Sequence, residues 1–230
     1  MLRQLRPATD SVQRGIPANR RRIFDEHASR AFRMRPMTRR LVGPPSQTGD
    51  HLETAGNWGF QLSAEPHIPE RFAHALDEHL VFNLCGGFGW PLVLGIFGRP
   101  GDGKSFQIRT HLERRGVLPV TINAADLESD RAGTPGKLVL SVYQDAGHRI
   151  EEGCPAAVLV DDFDTTVGEW ENSTTTVNHQ QVLAQLMHLA DSPTEAAGKK
   201  LRRVPVFITG NDLSKVYPPL RRPGRMRAFP

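Results

Sequence analysis

The chain has 230 residues, of which 38% are hydrophobic and 23% charged. That suits one domain with a sizeable core plus a tail, and no apolar run approaches the ~18–20 residues of a membrane-spanning helix. Two cysteines, Cys85 and Cys154, are too few for a disulfide framework or a self-contained zinc site and read as small buried residues.

The net charge of +4 is unevenly placed. Residues 1–40 carry 11 arginines against Asp10, Asp25 and Glu26, a net +8, while the remaining residues are acidic overall, at −4. The basic character belongs to an N-terminal arm, so a domain-wide basic surface for nucleic acid is not supported. No apolar stretch near the N-terminus reads as a secretion signal.

Residues 1–57 are rich in Arg, Pro, Gly and Ser, and residues 43–49 (GPPSQTG) can continue neither a helix nor a central strand. This arm is expected to be disordered, with one helical piece conceivable from Ile23 to Met34. The run Arg20-Arg21-Arg22 would suit an acidic partner, nucleic acid or an organelle-targeting signal; the bland reading is a solvated tail. Order is expected from Trp58-Gly59-Phe60 to Pro230.

His67-Ile68-Pro69-Glu70 opens a helix with proline near its first turn. Phe72, Leu76, Leu80 and Leu84 give it a buried stripe, and Gly86-Gly87 ends it. Pro91 to Phe97 is a continuous apolar run, as expected of a strand buried on both faces. A helix from Ser105 to Arg115 and a strand from Leu118 to Asn123 follow. Next come a helix from Lys137 to Glu152, with Leu138, Val142, Ala146 and Ile150 inward, and an apolar strand from Ala156 to Val160. A helix from Val177 to Asp191 turns Val182, Leu183, Leu186 and Leu189 inward, and Val204 to Thr209 is a third apolar strand. The alternation predicts an α/β fold, a mostly parallel sheet with helices on both faces.

Between the first strand and the second helix lies Gly98-Arg99-Pro100-Gly101-Asp102-Gly103-Lys104-Ser105, a phosphate-loop pattern in the strand–loop–helix context that confirms it. Glycines allow backbone angles that turn amides inward around a phosphate. The helix N-terminus adds partial positive charge. Lys104 can reach the β- and γ-phosphates of ATP and Ser105 can ligate Mg2+.

The strand ending at Val160 runs into Asp161-Asp162, at the carboxyl edge where ligands bind in parallel sheets. Asp161 is placed to hold Mg2+. Asp162 can orient or deprotonate the attacking water; being shorter than Glu, it is expected to make hydrolysis slow. Asp164 can support either neighbour. The third apolar strand runs into Asn211, an amide able to reach the γ-phosphate or the water. Leu220-Arg221-Arg222-Pro223-Gly224-Arg225 sets separated guanidiniums on a tight turn, which after such a site reads as an arginine-finger segment.

These elements resemble the large subdomain of an AAA+ ATPase, a three-layer P-loop fold, and within that group the Rubisco activase family. The closer resemblance spans about residues 59–229. It rests on Pro91 to Gly98 and Gly103-Lys104-Ser105-Phe106-Gln107, then Leu127-Glu128-Ser129 with Ala132-Gly133 and Pro135. Thr176-Val177-Asn178, Leu186-Met187, Ala190-Asp191 and Pro193-Thr194 continue it. Val204-Pro205, Thr209-Gly210-Asn211-Asp212 and Gly224-Arg225-Met226 complete it.

The resemblance implies ATP and Mg2+ as cofactors, with Gly98, Arg99, Pro100, Gly101, Asp102, Gly103, Lys104, Ser105 and Phe106 around the nucleotide. It implies a ring, usually of six copies, in which Arg222 and Arg225 reach the next subunit's nucleotide. Leu127–Pro135 and Val167–Thr176, including Trp170, would be pore loops, the first without the aromatic of many protein unfoldases. The implied activity is remodelling of Rubisco to release inhibitory sugar phosphates, in the cytoplasm or, for a plant-type source, the chloroplast stroma. Pro230 falls inside the implied final core strand, so the family's helical lid lies beyond this sequence. Alternatives are an AAA+ ATPase with another protein client, an ATP-binding module with little turnover, and a nucleic-acid-dependent ATPase working through the N-terminal arginines.

Overall fold

A computed structural model describes residues 66–86, 89–127, 134–164, 177–196 and 198–229. The expected N-terminal arm, the start of order at Trp58, most of the first pore-loop candidate and all of the second lie outside the described residues.

Helix α1 (Glu70–Leu84) precedes strand β1 (Val93–Phe97). Then come α2 (Lys104–Arg114), β2 (Leu118–Ile122), a single turn α3 (Ala124–Leu127), α4 (Thr134–Glu151) and β3 (Ala156–Val160). Helix α5 (Val177–Asp191) is followed by a small hairpin of β4 (Glu195–Ala196) and β5 (Lys199–Lys200), which the sequence did not announce. Strand β6 (Val206–Gly210), a 3-10 turn (Leu213–Lys215) and β7 (Met226–Phe229) complete the order. The main sheet has five strands in the order β2-β3-β6-β1-β7, all parallel.

Period-two alternation gives the two faces of the sheet different partners. Val158, Val160, Val206 and Ile208 pack with α4 and α5 residues such as Val139, Tyr143, Val182 and Leu186. Ala157, Leu159, Phe207, Leu94 and Ile96 pack with Phe72, Leu76 and Leu80 of α1 and Ile108 and Leu112 of α2. The result is the expected three-layer sandwich with a sheet buried on both faces.

Helix α4 departs from expectation in two ways. It begins at Thr134, three residues early, because Pro135 in its first turn lacks only an N–H that has no partner within the helix there. Its buried row is Val139, Tyr143, Ala146 and Ile150, with Leu138 and Val142 only partly buried along the edge of the core. The row turns because α4 packs on α5 as well as on the sheet: a Cβ on Gly136 would lie 3.3 Å from both Cβ and O of Gln181. Tyr143 is tolerated inside because its hydroxyl donates to Pro193 O (2.8 Å) and accepts from Val204 N (3.1 Å). Cys85 and Cys154 are only partly buried, not core residues.

His79, fully buried on α1, donates from Nε2 to Val206 O (3.1 Å). Its Nδ1 is therefore an acceptor, and Asn83 Nδ2 lies 3.4 Å from it. Burial in this site holds the imidazole pKa down at about 3. The unfolded chain thus takes up a proton near pH 6.5 that the folded chain refuses until about pH 3. This group's contribution is complete above pH 6.5 and is lost as pH falls through that window, by about 1.4 kcal/mol per pH unit. His79→Gln, which does not titrate, is expected to flatten that part of the stability–pH curve in urea denaturation; identical slopes for the two proteins would refute it.

Candidate active site

Strand register assembles the site. The last β1–β6 pair is Phe97↔Gly210, and the last β3–β6 pair is Val160↔Ile208. The chain leaves these three strands at one edge of the sheet, so Gly98, Asp161 and Asn211 emerge side by side. Gly98 N donates to Gly210 O at 3.3 Å, prolonging the ladder by one step into the phosphate loop.

The loop turns back through Gly101 (φ +85°) and Gly103 (φ +72°), left-handed angles that disfavour any residue with a Cβ. It is tied by Asp102 N to Arg99 O (3.3 Å) and by Gln107 Nε2 to Asp102 O (2.9 Å). Lys104, the first residue of α2, folds its ammonium back into the loop. Nζ donates to Gly98 O (3.0 Å), Arg99 O (2.9 Å) and Asn211 Oδ1 (3.2 Å). The lysine of the loop and the amide that follows β6 therefore meet directly. Phe106 stands outward, 59% exposed, offering an apolar face beside the loop.

Thr209 is the hub of the acidic side, a role that sequence reading missed. Its hydroxyl donates to Asp161 Oδ1 (3.1 Å) and accepts from Asp162 N (3.1 Å). With its one hydrogen so used, the 3.4 Å contact with Ser105 Oγ has Ser105 as the donor. One buried hydroxyl thus links Ser105 and Asp161 and fixes the backbone at Asp162. That backbone is left-handed (φ 52°), a conformation Asp tolerates better than most residues, and Asp162 is exposed while Asp161 is buried. Two adjacent carboxylates are in this way given different surroundings. Asp161 Oδ2 makes an ion pair with Arg109, which lies four residues after Ser105 on the same face of α2. That spacing was the available signal for Arg109. Asp164 binds the backbone amides of Asn211 and Asp212, 2.9 and 3.0 Å away.

The arginine segment is not part of this cluster. Val93 N donates to Arg225 O (3.1 Å), and Val93 pairs with Met226, which sets the turn at the amino edge of the sheet. At ~3.3 Å per residue, the five residues of β1 separate the two edges by roughly 16 Å. Arg225 is engaged by its own chain: Nε and Nη2 donate to Asp191 Oδ1 and Oδ2 (2.7 Å each), and Nη1 donates to Pro219 O (2.9 Å). That hydrogen bonding holds the Asp191 carboxyl below its usual range. Arg222, on the same turn, is exposed.

The donor set fits a triphosphate with a small divalent cation. The loop has no side chain at its two sharpest bends and holds one ammonium at its centre. A hydroxyl and a carboxylate, Ser105 and Asp161, converge on Thr209. Among the described residues no three His, Cys, Asp or Glu side chains form a metal-ligand cluster. Mg2+ characteristically uses one or two protein groups plus substrate phosphates, and so fits this sparse set. Among the described residues, no helix is long and apolar enough to cross a membrane.

Comparison with known proteins agrees with this geometry. The sequence profile of the "ATPase family associated with various cellular activities (AAA)" matches residues 94–229. The chain is 39% identical over 173 residues to a ribulose bisphosphate carboxylase/oxygenase activase of Anabaena, covering 71% of this chain and 42% of that protein. It is 40% identical over 172 residues to the chloroplastic activase of Zea mays (71% and 40%), and 34% identical over 209 residues to chloroplastic activase 2 of Larrea tridentata (82% and 48%). The chain spans less than half the length of these relatives.

Replacing Thr209 with the isosteric Val would remove the donor to the buried Asp161 Oδ1 and the hydroxyl that accepts from Asp162 N. Orphaned buried polar groups cost about 1–3 kcal/mol each. Urea denaturation of Thr209→Val should show a loss of that order, and unchanged stability would remove the hydroxyl from its role as hub.

Proposed function

The chain belongs to the AAA family of ATPases, and from that premise we propose that it binds ATP with Mg2+ and hydrolyses it to drive remodelling of a protein client. Rubisco is the client named by the relatives, and release of its inhibitory sugar phosphates is the proposed outcome. The contact from Lys104 Nζ to both the loop carbonyls and Asn211 carries the reading, because it joins phosphate-binding and hydrolytic elements at one point.

In this reading the amides and Lys104 of the loop bind the β- and γ-phosphates. Ser105 and Asp161 hold Mg2+, which when bound neutralises charge developing on the phosphate oxygens. Asn211 orients the γ-phosphate or the attacking water. Asp162 takes the proton of that water as its oxygen bonds to the γ-phosphorus and the bond to the ADP oxygen breaks. Arg222 and Arg225, on the far edge of the sheet, act on the nucleotide of the next copy in a homo-oligomeric ring, a hexamer in the family's usual form. Arg225 does so only by giving up Asp191. The setting is the cytoplasm or the chloroplast stroma, where Rubisco is found.

Lys104→Ala is expected to weaken ATP·Mg2+ binding at least tenfold in a fluorescent-nucleotide titration. Asp162→Asn should leave that affinity within about threefold while lowering turnover by 10²-fold or more, the scale of a general base. Wild-type protein indifferent to ATP·Mg2+ would end the proposal. Turnover without ATP-dependent release of sugar phosphate from inhibited Rubisco would redirect it to another client.

A further inference from the structure

Asp164 lies just beyond β3 and is 2% exposed. A carboxylate is an expensive residue to bury, since its charge loses water and must be repaid by hydrogen bonds. The bonds it makes are specific. Oδ2 accepts the backbone N–H groups of Asn211 (2.9 Å) and Asp212 (3.0 Å), consecutive residues on the far side of β6 in sequence.

Those two amides occupy the place where the sheet stops supplying acceptors. Pairing of β6 with β3 ends at Ile208 and with β1 at Gly210. Asp164 takes over at the next two residues, with charge-assisted bonds roughly twice as strong as neutral ones. Gly210 makes room for it. A Cβ there would lie 2.8 Å from Asp164 Oδ1 and 2.8 Å from the Phe97 ring. The absence of a side chain at 210 and the carboxylate at 164 are therefore one arrangement. Its product is a fixed backbone at Asn211, whose Oδ1 accepts from Lys104 Nζ (3.2 Å) and whose Nδ2 is thereby the donor end.

We propose that Asp164 is a positioning residue for ATP hydrolysis: it clamps the Asn211–Asp212 backbone so that the Asn211 side-chain amide is held at the γ-phosphate end of the site. The inference rests on the hydrolytic reading above and adds a residue to it. Asp164 touches neither phosphate nor water and acts only through Asn211. A misplacement of about 1 Å at such a group is worth on the order of 10²-fold in rate.

The test is a cycle of Asp164→Ala, Asn211→Ala and the double variant, with Asp164→Asn as the conservative control that keeps an acceptor for both amides. Nucleotide affinity, kcat and amide hydrogen exchange are measured on each. Asp164→Ala should lower kcat at least tenfold with ATP·Mg2+ affinity changed less than about twofold, and Asp164→Asn should recover most of the loss. The double variant should be no slower than Asn211→Ala alone. Exchange at the 211 and 212 amides should rise at least tenfold in Asp164→Ala, while Ile208 inside the ladder keeps its protection. Should Asp164→Ala fail to fold, Asp164→Ser, whose acceptor is too short to span both amides, takes its place in the same cycle. Unchanged kcat in a variant of an active wild type overturns the clamp alone, as do losses that multiply in the double variant. Wild-type protein that binds ATP·Mg2+ without turning it over overturns the hydrolytic reading, and this proposal with it.

Discussion

The parallel register of β3, β6 and β1 is the constraint on which the candidate site depends. β6 runs two residues past the last residue of β3 and ends level with β1. Thr209 therefore overhangs the end of β3, where its hydroxyl meets both Asp161 and the amide of Asp162. Gly210, level with Phe97, brings Asn211 beside the mouth of the phosphate loop. A slip of one residue in β6 would turn Thr209 to the opposite face and carry Asn211 about 3.3 Å along the strand. Both faces of β6 are packed, with Val206 and Ile208 in one core and Phe207 in the other, and this burial resists such a slip. The two hydrophobic cores thus set the positions of the polar groups without containing them.

Charged groups at the site, and Arg225 at the opposite edge of the sheet, are partnered within the chain. Lys104 is met by two carbonyls and an amide oxygen, Asp161 by Arg109 and Thr209, and Arg225 by Asp191 and the carbonyl of Pro219. Nucleotide binding in this arrangement is an exchange of partners. The net gain is the difference between two sets of bonds, as in any hydrogen-bond exchange with solvent. On the proposed function, Lys104 would give up neutral carbonyls for charged phosphates, which favours binding. Asp161 already has a cation beside it, so a metal ion at this carboxylate either displaces Arg109 or shares with it. The Asp161–Arg109 pair is half open to solvent on the arginine side while its carboxylate is buried.

Much of this was legible in the sequence because it is local. The strand–loop–helix context of residues 93–114, the apolar strands ending in Asp161 and Asn211, and the helical stripes of α1 and α5 depend on neighbours within a few positions. They agree with the structure to within a residue or two. The apolar spacing of α4 predicts a face turned from the observed one, because α5 competes with the sheet for this helix through the close approach at Gly136. Thr209 and Asp191 were not legible as partners of the site groups, and Asp164, expected to support its neighbours Asp161 or Asp162, instead binds the amides of Asn211 and Asp212. Thr209 and Asp164 meet their partners across 47 or 48 residues, and Asp191 meets Arg225 across 34. No spacing rule links such positions. Only the sheet order, with β6 inserted between β3 and β1, makes them neighbours.

The same sheet separates what it does not join. Arg222 and Arg225 come just before β7, at the amino edge, and α5 ends near them because it runs back against the strands, so that Asp191 at its last residue can hold Arg225. The phosphate loop is at the opposite edge, a strand length away. A fully extended arginine side chain is far shorter than that span, so these guanidiniums have no route to the nucleotide of their own chain. For them to act on a phosphate, the amino edge of one copy must face the carboxyl edge of another. Such a contact joins two different surfaces, and repeating it with a constant rotation gives either a closed ring or an open helix. The arginine turn, braced by Asp191 and Pro219, therefore ties any phosphoryl chemistry at Arg222 to head-to-tail assembly of the chain.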